Sequence, residues 1–180
     1  MLPVCPDNHA NGPGGQMPPG DVPRGRLNLL LSCAGWRTDS WADALPPLLE
    51  PLGVNSLRAR TAREAERTIR SYRIHIAVVD LGLPLDGDGS GSPRPVFPAV
   101  AAPHEEAGPR ILELLRRLES PPPTVVVKGP RTVREETRDM AAALRCGAFA
   151  VVDRAGASVE QMLDVLRRCL RRYYHDRWPD

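Results

Sequence analysis

Asp80 is the residue of this sequence best placed to do chemistry. It closes the run Ile74-His75-Ile76-Ala77-Val78-Val79-Asp80 and is followed by Leu81-Gly82-Leu83-Pro84. Ile and Val dominate the run, Tyr72-Arg73 precede it and a Gly/Pro turn follows it, the pattern of a strand buried on both faces in a parallel sheet. A carboxylate at the carboxyl end of such a strand stands in the crevice where open α/β sheets place their ligands. The plainer reading is an Asp that only satisfies amides of the next turn.

Other reactive residue types are weaker candidates. Cys33 ends an apolar run and is a conceivable nucleophile, but no His stands near it in sequence order, and an unpaired Cys is mostly a small hydrophobe. His75 opens the strand of Asp80 and is expected to pack at its edge. His104-Glu105-Glu106 lacks further partners at ligand spacing and reads as a solvated charge run. Arg167, Arg168, Arg171, Arg172 and Arg177 make a basic end to the last helix. Tyr173, Tyr174 and Trp178 are too few for a base-stacking platform, and cations at a helix C-terminus also complement its dipole, so nucleic acid is not the expected partner.

Composition fits one soluble domain. The chain has 180 residues, 24 Lys plus Arg against 22 Asp plus Glu, and 42% hydrophobic residues, so its net charge of +2 calls for no polyanion. Cys5, Cys33, Cys146 and Cys169 form no CxxC pair, which argues against a zinc site or disulfide framework and for a reducing compartment. No apolar run approaches the ~20 residues of a membrane span, and no charged-then-apolar leader opens the chain, so a cytoplasmic location is expected. Residues 1–25 and 86–107 are rich in Pro and Gly and are expected to be a disordered tail and a long loop around and within a domain over 26–175, with 176–180 a short C-terminal tail.

Within the domain the chain alternates strand and helix. Leu27 to Leu31 is a first strand, and Trp41, Leu45, Leu48, Leu49 and Leu52 follow at helical spacing, with Ser40 as cap and Gly53 as stop. Pro46, Pro47 and Pro51 inside that pattern require a kinked, short or partly unwound helix. Val54 to Arg60 reads as an edge strand. Thr61-Ala62-Arg63-Glu64, Thr132-Val133-Arg134-Glu135 and Ser158-Val159-Glu160-Gln161 have the spacing of capping boxes. The helix after Thr132 carries Val133, Thr137, Met140, Ala141 and Leu144 on one side and ends at Gly147. Pro109 opens a helix with Ile111, Leu114, Leu115 and Leu118, Thr124 to Val127 is a fourth strand and Ala148 to Val152 a fifth. Val159, Met162, Leu163, Leu166, Leu170 and Tyr173 give a final amphipathic stripe. Five strands alternating with five helices imply right-handed crossovers and a parallel sheet covered on both faces.

On these residues the chain, from about Arg26 to Tyr174, resembles the receiver domain of bacterial response regulators. His75 to Pro84 is similar to the family's third strand with its phosphoacceptor aspartate and the proline four residues on. Pro123 to Val127 is similar to the fourth strand, and Arg145-Cys146-Gly147-Ala148 to the Gly-Ala before the fifth. The resemblance implies a doubly wound, flavodoxin-like α/β/α sandwich with strand order 2-1-3-4-5, Asp80 as phosphoacceptor, and a kinase or effector protein as partner.

The departures sit at the chemistry. Where the family ends its first strand with an acidic, magnesium-binding pair, Ser32 and Cys33 stand here. Lys128 and then Gly129 replace the Thr or Ser that ends the fourth strand, and Arg154-Ala155 replaces Lys-Pro after the fifth. One carboxylate flanked by Ser, Cys and Lys is a poor magnesium site. Without the metal's charge, phosphoryl transfer to Asp80 should be slow or absent. Lys128 or Arg154 is then expected to hold Asp80 ionised without metal. The expectation is a non-enzymatic, degenerate receiver that needs no cofactor and binds another signalling protein through the helix after Thr132, the fifth strand and the last helix, with Arg167 and Arg171 on the partner face. Two alternatives stand beside it: a receiver still phosphorylated at Asp80, with weak magnesium binding, and an enzymatic or small-molecule-binding flavodoxin-like domain using the crevice around Cys33, Asp80 and Lys128.

Overall fold

The structure, a computed structural model, describes residues 27–33, 40–85, 107–130 and 132–174. The tails expected over 1–25 and 176–180 lie outside the described residues, as do His104-Glu105-Glu106 and all but the last residue of the 86–107 loop.

Alternation of strand and helix runs through the described chain. Strand β1 spans Leu27–Ser32, helix α1 Ser40–Leu49, β2 Val54–Ala59, α2 Ala62–Ser71, β3 Ile76–Asp80, α3 Gly108–Arg116, β4 Thr124–Lys128, α4 Val133–Arg145, β5 Ala150–Asp153 and α5 Val159–Tyr174. The five strands form one parallel sheet in the order β2-β1-β3-β4-β5. The strand order expected from the sequence is therefore the one observed, with β2 at an edge.

Local chemistry explains the boundaries. Pro46 and Pro47 lie inside α1, whose helical hydrogen bonding gives way after Leu49 to a 3₁₀ turn over Glu50–Leu52 containing Pro51. Gly53 ends it with φ +78°, a left-handed conformation that glycine adopts without steric cost. Thr132 and Glu135 form the full reciprocal box at the start of α4. At α2, Thr61 Oγ1 accepts from the Glu64 amide, but the Glu64 carboxylate accepts from the Arg60 amide instead of closing the box. Ser158 Oγ accepts from the Gln161 amide at the start of α5.

Two cores lie on the two faces of the sheet. On one, Leu29, Leu31, Val78, Val125 and Val127 pack against Trp41, Leu45 and Leu49 of α1 and Met162, Leu166 and Leu170 of α5. On the other, Leu30, Ala77, Val79 and Val126 meet Ala65 of α2, Ile111, Leu112 and Leu115 of α3 and Ala143 of α4. Each fully buried Leu or Ile stabilises the fold by about 1.5–3 kcal/mol. An exposed pair such as Arg116–Glu113 is worth about 0–1 kcal/mol, so the cores carry the fold.

Helix α4 departs from the rule that apolar residues point inward. Its buried residues are Asp139, Ala142 and Ala143, while Val133, Met140 and Leu144 are exposed. The inward side of α4 is made of small residues, with Ala143 in the core of that face, and the large apolar side chains are left on the outer side.

Candidate functional site

Strand β3 delivers Asp80 to the carboxyl edge of the sheet, where its side chain is 2% exposed. Asp80 Oδ1 accepts a hydrogen bond from the Gly82 amide at 2.9 Å, so the turn role read from the sequence is real. The same oxygen also takes the guanidinium of Arg154, through Nη2. Arg154 opens a 3₁₀ turn, Arg154–Gly156, directly after β5. Its guanidinium crosses over Gly129, where a Cβ would stand only 3.3 Å from Nη1. A side chain at Gly129 would crowd that guanidinium by a few tenths of an ångström, a neighbourhood not evident from the sequence.

Lys128 does not share this site. Its ammonium pairs with Glu136 of α4 and lies 3.1 Å from Asp153 Oδ1, and both hydrogen bonds, that to Glu136 first, hold its pKa above the usual lysine range. Of the two cations expected to hold Asp80, Arg154 does so and Lys128 does not, because of register. Asp80 pairs with Val127, and Lys128 is one residue further on, so strand alternation turns it to the opposite face. There it meets Asp153, its own cross-strand partner. Glu136 and Asp153 were missed from the sequence because their convergence needs that register.

Ser32 is fully buried, and its hydroxyl donates to the Val78 carbonyl at 3.0 Å. Cys33 donates its amide to Ala59 and packs against the α1/α5 core. Because Ser32 pairs with Val79, Cys33 follows at the level of Asp80, but Lys128 is on the other face. The crevice of Cys33, Asp80 and Lys128 is therefore not assembled as one cluster. Burial pushes the Cys169 thiol up to about 12 and raises that of Cys146, so neither is poised as a thiolate. Among the described residues no three His, Cys, Asp or Glu side chains converge as a metal site.

His75 sits at the opposite end of β3. Its Nδ1 accepts from the Asn28 amide at 2.9 Å, which puts the ring proton on Nε2, and its carbonyl accepts from the Tyr174 hydroxyl at 2.8 Å. It is a structural edge residue, as its position in the sequence implied. On α5, Tyr174 turns to His75 and Tyr173 packs edge-on to Phe149, just before β5. At 100° per residue this puts Arg172 and Arg168 on the β5 flank of α5, and turns Arg167 and Arg171 outward and away from it.

No protein-family model and no curated protein sequence matches the chain. Solved structures do match in shape. A CheY-like response regulator receiver domain protein from Methanospirillum hungatei aligns over 84% of this chain and 98% of its own, with a TM-score of 0.58 at 18% identity. The fold is that of a response regulator receiver domain. The signal receiver domain of an HD domain-containing protein from Pseudomonas fluorescens aligns over 83% of this chain and 98% of its own (TM-score 0.59, 16% identity). A response regulator from Burkholderia pseudomallei, solved with a phosphorylated aspartic acid, a calcium ion and citrate, aligns over 78% and 66% (TM-score 0.51, 19% identity). Within this receiver fold Asp80 stands at the carboxyl end of the central strand, and no described helix is long and apolar enough to cross a membrane.

Proposed function

We propose that the chain is a receiver-like signalling module that acts by binding another protein, with Asp80 held permanently by Arg154 in place of regulated phosphorylation. The observation that carries this reading is the buried contact between the Asp80 carboxylate and the Arg154 guanidinium. The guanidinium is a fixed part of the chain, so this partner cannot be removed as a phosphoryl group can.

Magnesium fits the site poorly. It demands near-octahedral oxygen ligands and gives up water reluctantly. Here the Ser32 hydroxyl is committed to the Val78 carbonyl, the neighbouring residue is a thiol, and Asp80 already faces a cation. Phosphoryl transfer rests on positioning and charge neutralisation, so a site that holds metal badly accepts phosphate slowly. We place the module in the cytoplasm, without catalysis of its own, with a kinase or effector as partner and with α4, β5 and α5 as the contact region.

A second reading keeps Asp80 as a phosphoacceptor in a two-component relay. Likeness in fold to the Burkholderia response regulator, whose structure carries a phosphorylated aspartic acid, favours it. Magnesium titration followed by amide NMR separates the two. The chain as it stands should show no saturable shift at the Gly82 amide below about 1 mM magnesium. Cys33→Asp, which adds a carboxylate beside Asp80, should create one. Sub-millimolar saturation in the unaltered chain would establish the second reading.

A further inference from the structure

Helix α2 turns a stripe of arginines to solvent. Its core side is made by Ala62 and Ala65, which are buried, with Ile69 half-buried beside them. Arg63, Arg67 and Arg70 are exposed, and at about 100° per residue they fall within roughly 60° of one another on the side opposite Ala65. Residues 60–73 hold five Arg and two Glu, a local net charge of +3 against +2 for the entire chain. Like charges three and four residues apart on a helix repel, so the stripe weakens α2 as an isolated element and an acidic partner would relieve it.

The neighbouring acids do not cancel the stripe. Glu66, on the flank toward α3, is taken by Arg110 at 3.0 Å. Glu113 of α3 is bonded by both Arg116 and Arg117. On the other flank the Glu64 carboxylate accepts from the Arg60 amide, and the exposed Arg60 side chain adds a further cation. Arg67 and Arg70 form no ion pair among the described residues.

An occupant of this face must carry separated negative charges. A continuous phosphate backbone would run into Glu64 and Glu66, and it would find no stacking platform in Tyr72, which is half-buried against the core. A membrane surface is entered by exposed apolar residues, whereas Leu57 and Ile69 are packed inward. A second copy would bring arginine against arginine. A helix with acids three and four residues apart can set carboxylates against Arg67 and Arg70 together, and the guanidinium fork matches a carboxylate in geometry.

We propose that α2 docks an acidic helix of a partner protein, with Asp or Glu at three- and four-residue spacing along one face. This goes beyond the contact region of α4, β5 and α5 named above and does not depend on it; its failure would leave the magnesium result at Asp80 untouched.

The test uses the full chain and two labelled helical peptides of about 20 residues, long enough to hold helix in solution. One carries Glu three and four residues apart along one face; the other has the same composition with Glu spread around the helix. Fluorescence anisotropy at low salt should show saturable binding of the aligned peptide that weakens with added salt, and at least tenfold weaker binding of the spread one. Arg67→Gln with Arg70→Gln, which keeps residues of good helix propensity, should weaken binding of the aligned peptide about tenfold while circular dichroism stays unchanged. Arg67→Glu with Arg70→Glu should instead favour a version of that peptide with Lys in place of Glu. Equal binding of the two Glu peptides, binding of neither, or tighter binding of single-stranded RNA or of phosphatidylserine vesicles than of the aligned peptide would each overturn the proposal.

Discussion

At Asp80 a guanidinium holds the buried carboxylate, and the consequences are measurable on single side chains. Removing one partner of a buried pair leaves the other charge without compensation, at a cost of about 3–5 kcal/mol. Arg154→Met should therefore destabilise the fold by about 3 kcal/mol in urea denaturation, because Arg154 is partly exposed and the Gly82 amide still serves Asp80. Lys128→Met should combine additively with Asp80→Asn in a double-mutant cycle, since the two side chains lie on opposite faces of the sheet. Coupling between them would refute the placement of Lys128. The sequence showed that a cation follows β5, and so made Arg154 legible. It could not show which of two cations reaches Asp80, because that depends on strand register and alternation. A separate titration tests the surface. Glu113 is hydrogen-bonded by Arg116 and then Arg117, which brings its pKa down to about 2. A depressed carboxylate contributes stability above its unfolded pKa of about 4.3 and loses it as pH falls through about 2. Carbon NMR should find Glu113 still ionised at about pH 3, and Arg116→Gln should move its midpoint upward.

At the scale of elements, the turn after β3 is pressed against the start of α3. A Cβ on Gly108 would stand 2.4 Å from Leu81 Cα and 2.7 Å from the Asp80 carbonyl oxygen. Gly108→Ala should push α3 off that turn, cost about 1–3 kcal/mol or more in chemical denaturation, and shift the Gly82 amide resonance. An unchanged midpoint and resonance would mean that α3 does not set the Asp80 turn. Most elements were legible because their signals agree: β-branched runs for β3 and β4, a complete capping box for α4, prolines and Gly53 for the shortening of α1. The orientation of α4 was not. Its stripe of Val133, Met140 and Leu144 has helical spacing, which tells that a face is apolar but not what it faces. Asp139, Ala142 and Ala143 are buried instead.

For the molecule as a whole, the parallel sheet between two helical layers brings residues from β3 and the turn after β5 together at one edge, 74 positions apart in sequence. That edge is legible from strand order, since β3 is central and a central strand's carboxyl end is where such folds place their sites. On the proposed reading, the contact between Arg154 and Asp80 holds this receiver fold in one shape. A permanent contact biases a two-state equilibrium by its differential energy between the states, and about 1–3 kcal/mol suffices when the intrinsic gap is small. The central claim is that Asp80 is not a regulated phosphoacceptor. Intact-protein mass spectrometry after incubation with acetyl phosphate and magnesium tests it most directly. No phosphate-sized gain in mass should appear; a gain that appears in the unaltered chain and disappears in Asp80→Ala would contradict that claim.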